Sequence, residues 1–129
     1  SMKLIFDIGN TNVVCAAFRG AELISSFRLR SDRDRTVDEY SLDIISLLKL
    51  HNIDRTEIKG TVIGSVVPQL TRVFSKLSVK YLDLSPQIIE ASEVTGMELH
   101  VDRPDWIGAD QIANAYAARE LYGAPCVVV

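Results

Sequence analysis

The sequence predicts an α/β domain: an antiparallel three-strand meander extended by parallel strands, with flanking helices. Three observations carry that expectation. Two apolar runs near the start are joined by the turn-forming Gly9-Asn-Thr-Asn12, a β-branched run returns at 61–67 after a helical segment, and apolar residues recur at helical spacing in the stretches between.

The elements follow in order. Lys3-Leu-Ile-Phe-Asp7 is a short apolar strand ending in a carboxylate, and Val13 to Phe18 resumes a strand, so the pair reads as a hairpin with polar residues at its tip. Arg19-Gly20 marks a second turn into Leu23 to Leu29, which completes the meander. Residues 28–35 mix four arginines with Asp32 and Asp34, a near balance of charge that reads as a solvated loop. Thr36-Val-Asp-Glu39 is a capping box and opens a helix whose stripe is Tyr40, Ile44, Leu47 and Leu48. Asn52 and the polar Asp54 to Glu57 interrupt it.

Thr61 to Val67 is a β-branched strand, and Pro68 stands where a following helix takes proline at its first position. Leu70, Val73, Phe74 and Leu77 give that helix one apolar face. Tyr81 to Leu84 reads as another short strand, and 85–103 as mixed and irregular. Gly108 to Tyr122 is alanine-rich, ends at Gly123 and reads as a helix. Pro125 then leads into Cys126-Val-Val-Val129, a run suited to the interior of a sheet, so the chain is expected to be a piece that stops within a strand.

With 129 residues, 47% hydrophobic and 24% charged, the chain suits one folded core. A net charge of −3 gives no electrostatic reason to expect nucleic acid or an anionic membrane as partner. No apolar stretch approaches the roughly 20 residues that span a bilayer, and the start lacks a signal-peptide layout, so a cytoplasmic protein is expected. Cys15 and Cys126 each lie in an apolar run, which suits buried reduced thiols. His51 and His100 have no acidic or cysteine partners at metal spacing and read as ordinary surface or helix-end residues.

The chemistry concentrates in Asp7-Ile-Gly-Asn-Thr-Asn12. Gly9 allows close backbone approach and a positive φ, Asn10 and Thr11 offer donors with the turn amides, and Asp7 is placed to hold Mg²⁺ directly or through water. The turn leads into a strand and not a helix, which argues against dinucleotide-binding and P-loop readings. The same residues also suit a plain hairpin, and the short pattern leaves both readings open.

Strand, turn, strand, strand, helix, strand, helix, with the turn spelled Asp7-Ile-Gly-Asn-Thr-Asn12, resembles the first domain of the acetate kinase, sugar kinase and actin superfamily. This is a ribonuclease H-like, or actin-like ATPase, fold. Together with Gly64-Ser-Val-Val-Pro68 and Pro104-Asp-Trp-Ile-Gly-Ala-Asp110, the motif resembles the type III pantothenate kinase family over essentially the whole chain. The resemblance implies ATP-dependent phosphorylation of pantothenate to 4'-phosphopantothenate, the first step of coenzyme A biosynthesis.

The same resemblance implies ATP and phosphate contacts from Asp7, Ile8, Gly9, Asn10, Thr11, Asn12, Val13 and Val14. It also implies Mg²⁺ at Asp7, an acceptor site at Gly108, Ala109, Asp110 and Gln111, and Asp110 as the base that activates the acceptor hydroxyl. It further implies a monovalent cation, K⁺ or NH4⁺, and a homodimer associating through the 108–122 region. On this reading residues 1–129 are the amino-terminal domain of a two-domain kinase whose second domain lies outside the chain, leaving this piece inactive alone.

From the residues alone, Asp110 reads first as a helix-start residue chosen for capping, in the first turn, where the dipole favours a carboxylate by roughly 0.3–1 kcal/mol. Asn114 lies one turn on, a place that suits orienting that carboxylate or a ligand and suits an ordinary polar helix residue equally. The family has arginine where this chain has Gln111, which cannot neutralise an anion. That departure keeps two alternatives open: a non-catalytic binding or regulatory module, and a kinase for another small hydroxy acid.

Overall fold

A computed structural model describes residues 1–90 and 105–122, with side chains in the last helix described for 108–117. The meander is present as expected. Strand β1 (Met2–Ile8) pairs antiparallel with β2 (Asn12–Arg19), which pairs antiparallel with β3 (Glu22–Arg30). Gly20 turns the chain between β2 and β3 at φ +60°, in open space, where glycine carries no Cβ penalty.

Helix α1 (Val37–Leu50) starts on the predicted capping box, with Thr36 Oγ1 accepting from Glu39 N at 3.2 Å and Glu39 Oε1 accepting from Thr36 N at 2.9 Å. His51 caps its far end, and Asn52 at φ 60° reverses the chain. Asp54 to Glu57 is more than an interruption. A second capping box builds a 3₁₀ turn there, Arg55–Glu57, leading directly into β4 (Ile58–Ser65).

β4 lies parallel to β1, with Asp7 opposite Gly64. Of the residues predicted as strand, Val66 still donates from N to Ile8 O at 3.0 Å, and the chain turns away at Val67, whose N donates to Ser65 Oγ at 3.0 Å. Pro68 then takes the first position of α2 (Pro68–Leu82), as expected. The strand expected at Tyr81 to Leu84 is not there. Tyr81 and Leu82 finish α2, Asp83 adopts the left-handed conformation at φ 57°, and Leu84 N closes onto Ser78 O at 3.0 Å. The next strand is β5 (Gln87–Ile89), parallel to β4.

The last helix, α3 (Asp105–Tyr122), begins three residues earlier than predicted. Residues 91–104 and 123–129, with the expected terminal strand Cys126 to Val129, lie outside the described residues.

The sheet order is β3-β2-β1-β4-β5. Side chains alternate across it, so β1 sends Leu4, Phe6 and Ile8 to one face and Ile5 and Asp7 to the other. The first face meets α1 and α2 in a core that includes Phe6, Tyr40, Ile44, Leu48, Leu70 and Phe74. The second meets α3 through Ile5, Val14, Ala16, Val62, Ala109 and Ile112. Helices on opposite faces bury both sides of β1, which is why its sequence is nearly all apolar. Asp7, 2% exposed, is the exception within that strand's core.

Candidate functional site

The β1–β2 hairpin turns over two residues, Asn10 and Thr11, with Gly9 N donating to Asn12 O at 2.9 Å. Gly9 does not take the positive φ expected of it: among the described residues the glycine at positive φ is Gly20. The Gly9 carbonyl is occupied from outside the hairpin, accepting from Ser31 Oγ at 2.6 Å, while Ser31 N donates to Thr11 O at 2.8 Å. The tip is therefore held by the chain that leaves β3, and needs no left-handed residue of its own.

Asn10 and Thr11 are exposed, Asn12 is half-buried, and Gly9 is buried. Ile8 and Val13 side chains pack in the core against α1 and α2, and Val14 packs on the α3 side. These three reach a ligand only through their backbone. Alternation along β2 places Asn12 on the same face as Val14, the face that carries Asp7.

The second predicted cluster arrives at the same place. A Cβ built on Gly108 would stand 2.3 Å from Asp7 Oδ2, so the backbone of α3 rests directly on the Asp7 carboxylate. Four residues on, Ile112 occupies the space that a side chain at Gly64 would fill, with its Cδ1 2.6 Å from the position of that missing Cβ. Gly64 lies beside Asp7 across the β1–β4 pairing. Two glycines thus seat one helix, Gly108 against Asp7 and Ile112 against Gly64. The sequence singles out both glycine segments but gives no sign that they face each other.

Gly108 and Ala109 are buried under that seat, while Asp110 and Gln111 are half-buried and Asn114 is exposed. Since α3 begins at Asp105, Asp110 lies in its second turn and not the first. It does not cap the helix, and the dipole argument weakens because that effect falls off within one turn. Among the described residues, Gln111 Oε1 is buried and has no hydrogen-bond partner.

The arginine-rich segment divides. Arg28 and Arg30 stand on β3, and the loop begins at Ser31. Arg33 Nη2 donates to Asn10 Oδ1 at 3.2 Å, and the loop is shaped by the buried Tyr40, whose hydroxyl donates to Arg30 O and accepts from Asp32 N, both at 2.8 Å. Charge balance conceals this role. The clue lay in Tyr40, an aromatic whose hydroxyl needs a buried partner. Cys15 is a free, buried thiol whose pKa burial pushes far up, consistent with a reduced core residue; Cys126 and His100 lie outside the described residues. His51 sits at the end of α1, in contact with the Phe27 ring and hydrogen-bonded to Ser25 Oγ.

Among the described residues no helix is long and apolar enough to cross a membrane, and no three His, Cys, Asp or Glu side chains gather as a metal cluster.

Among the described residues, five strands in this order, with two helices on one face and one on the other, define a ribonuclease H-like α/β domain. Solved structures share it. RuvC of Thermus thermophilus superposes with a TM-score of 0.61 at 11% identity over 96% of this chain and 98% of that one. A ROK hexokinase of the same organism superposes at 0.56 with 8% identity, over 73% of this chain and 36% of the hexokinase. At such identities the likeness shows the fold alone.

The chain belongs to the type III pantothenate kinase family, whose family model matches residues 3–129. The type III pantothenate kinase of Moorella thermoacetica is 43% identical over 128 residues, covering 99% of this chain and 50% of that one. The chain therefore spans about half the length of this curated relative.

Proposed function

We propose that the protein to which this domain belongs transfers the γ-phosphoryl group of ATP to pantothenate, giving 4'-phosphopantothenate and ADP. One observation carries the reading: the fold lays Gly108 against the Asp7 carboxylate, so the phosphate turn and the segment containing Asp110 share one end of the sheet. Family membership supplies the substrate class.

In this mechanism the exposed tip at Asn10 and Thr11, with Asn12 behind it, donates hydrogen bonds to phosphate oxygens. Asp110 accepts the proton of the acceptor's hydroxyl as that oxygen bonds to the γ-phosphorus, and the bond from phosphorus to the β,γ-bridging oxygen breaks to release ADP. Positioning and charge stabilisation supply most of the acceleration in such transfers.

Asp7 fits a Mg²⁺ that is also held by phosphate oxygens and water, since this hard ion commonly takes only one or two carboxylates from the protein. Mg²⁺ would neutralise charge on the phosphates. A K⁺ or NH4⁺ ion and a second domain completing the cleft belong to the same reading, as does a cytoplasmic location. Self-association through α3 would use the side bearing Asn114 and Ala117, which is exposed, since Ala109 and Ile112 face the sheet.

The test is ATP-dependent phosphorylation by the full-length protein, run on pantothenate beside a panel of small hydroxy acids. Turnover of pantothenate alone supports the reading; turnover of another acid transfers it to that acceptor.

Gln111 favours a second reading, a domain that binds but does not catalyse, because a carboxamide replaces a cation where an anionic acceptor would lie. Gln111→Arg separates the two. A gain in turnover identifies a kinase weakened at this position, and unchanged, absent turnover favours the module.

A further inference from the structure

We propose that Arg33 is a positioning residue for the phosphate turn, fixing which end of the Asn10 carboxamide is presented to an anion; the proposal rests on the nucleotide-binding reading of that turn. A carboxamide has one accepting end and one donating end. Only the donating end attracts a phosphate oxygen. On an exposed two-residue tip, rotation about the last side-chain bond would present either end, and one of the two would set an oxygen against the incoming anion.

The guanidinium removes that ambiguity because it donates and never accepts. Arg33 Nη2 lies 3.2 Å from Asn10 Oδ1, so the oxygen is committed to Arg33 and the NH2 group is left for the ligand. No other assignment of the amide is compatible with that contact.

The backbone carrying Arg33 is fixed on both sides. Before it, Ser31 bonds the tip twice, to Thr11 O at 2.8 Å and to Gly9 O at 2.6 Å, bracketing Asn10. Asp32 N donates to the hydroxyl of Tyr40, a residue with no solvent exposure. After it, Asp34 N donates to Asp32 Oδ1 at 2.9 Å, and Arg35 pairs with Asp43 at 2.7 Å. Arg33 is thus delivered by a braced loop, and its contact with Asn10 links the start of α1 to the phosphate turn.

A double-mutant cycle in the full-length protein tests this, with the dissociation constant of a non-hydrolysable Mg-ATP analogue measured by calorimetry and the melting temperature recorded alongside. One lost hydrogen bond predicts that Arg33→Met weakens binding roughly fivefold. Asn10→Ala weakens it at least as much, and the double variant is no weaker than Asn10→Ala. Arg33→Lys keeps most of the affinity, since an ammonium also donates to Oδ1, and none of these changes shifts the melting temperature appreciably.

Wild-type affinity in Arg33→Met overturns the proposal. So does a double variant showing the product of both losses, which would mean that Arg33 acts on the nucleotide independently of Asn10. A protein that binds the analogue normally but leaves pantothenate untouched removes the substrate reading and leaves this inference standing. One that binds no nucleotide at all overturns both.

Discussion

Gly108 is the fourth residue of α3, a helical position where alanine is ordinarily preferred to glycine. Here the close approach outweighs that preference. An added Cβ would stand 2.3 Å from Asp7 Oδ2, and the obstructing atom belongs to a buried carboxylate hemmed in by the sheet. Gly108→Ala is therefore expected to destabilise the protein by about 1–3 kcal/mol, read as a lower urea midpoint at unchanged slope. A neutral or stabilised variant would mean that α3 does not rest on Asp7. At Gly64 the obstructing atom is the methyl end of Ile112, which has more freedom to move, so the same change there should be milder. Sequence shows both glycines but not their partners, because one contact joins residues about a hundred positions apart and the other about fifty, and neither leaves a local pattern.

Helix starts were legible where their signals are local. Thr36 and Glu39 satisfy each other's backbone groups within four residues, and the structure reproduces that box. Removing it by Thr36→Ala should cost about 1 kcal/mol in chemical unfolding. Asp54 and Glu57 form the same device and could have been read the same way. Two departures from expectation lie at helix ends. Tyr81 and Leu82 have side chains that suit a strand, yet they continue a helix already propagating from Pro68, which stops only where Asp83 turns left-handed. At α3, Gly108 reads as a helix opening, whereas the helix starts at Asp105, directly after Pro104.

The caps also set an acid response. The Tyr81 hydroxyl and then Lys80 hold the Asp38 carboxyl below its ordinary range, the Thr36 amide does so for Glu39, and the Thr56 amide does so for Asp54. Carboxyls lowered on folding stabilise the fold fully above their unfolded pKa values, about 3.9–4.3, and lose that contribution as pH falls through the folded values. These three carboxyls are expected to add to the loss of melting temperature below about pH 4, so that replacing them together by their amides makes that fall shallower. A fall as steep in that variant as in the wild type would contradict this assignment.

Across the whole molecule, the meander and the apolar stripes of the first two helices were legible from alternation and helical spacing, whereas the division of the core between two faces of the sheet was not. The Asp7–Asn12 turn and the Gly108–Asp110 segment were each singled out, but the contact that brings Gly108 onto Asp7 was not. The brace from Ser31, Arg33 and Tyr40 was not, because its residues read as a balanced, solvated run until Tyr40 is seen beneath them. What joins these parts into one account is the sheet end where β1, the hairpin tip and α3 converge. The most direct test of that account is the pantothenate kinase activity of the full-length protein with Asp110→Asn, measured beside its affinity for Mg-ATP. The account predicts kcat lower by about 10²–10⁴-fold with nucleotide affinity unchanged, since a lost base affects proton transfer and not phosphate binding. Undiminished turnover in that variant would contradict it.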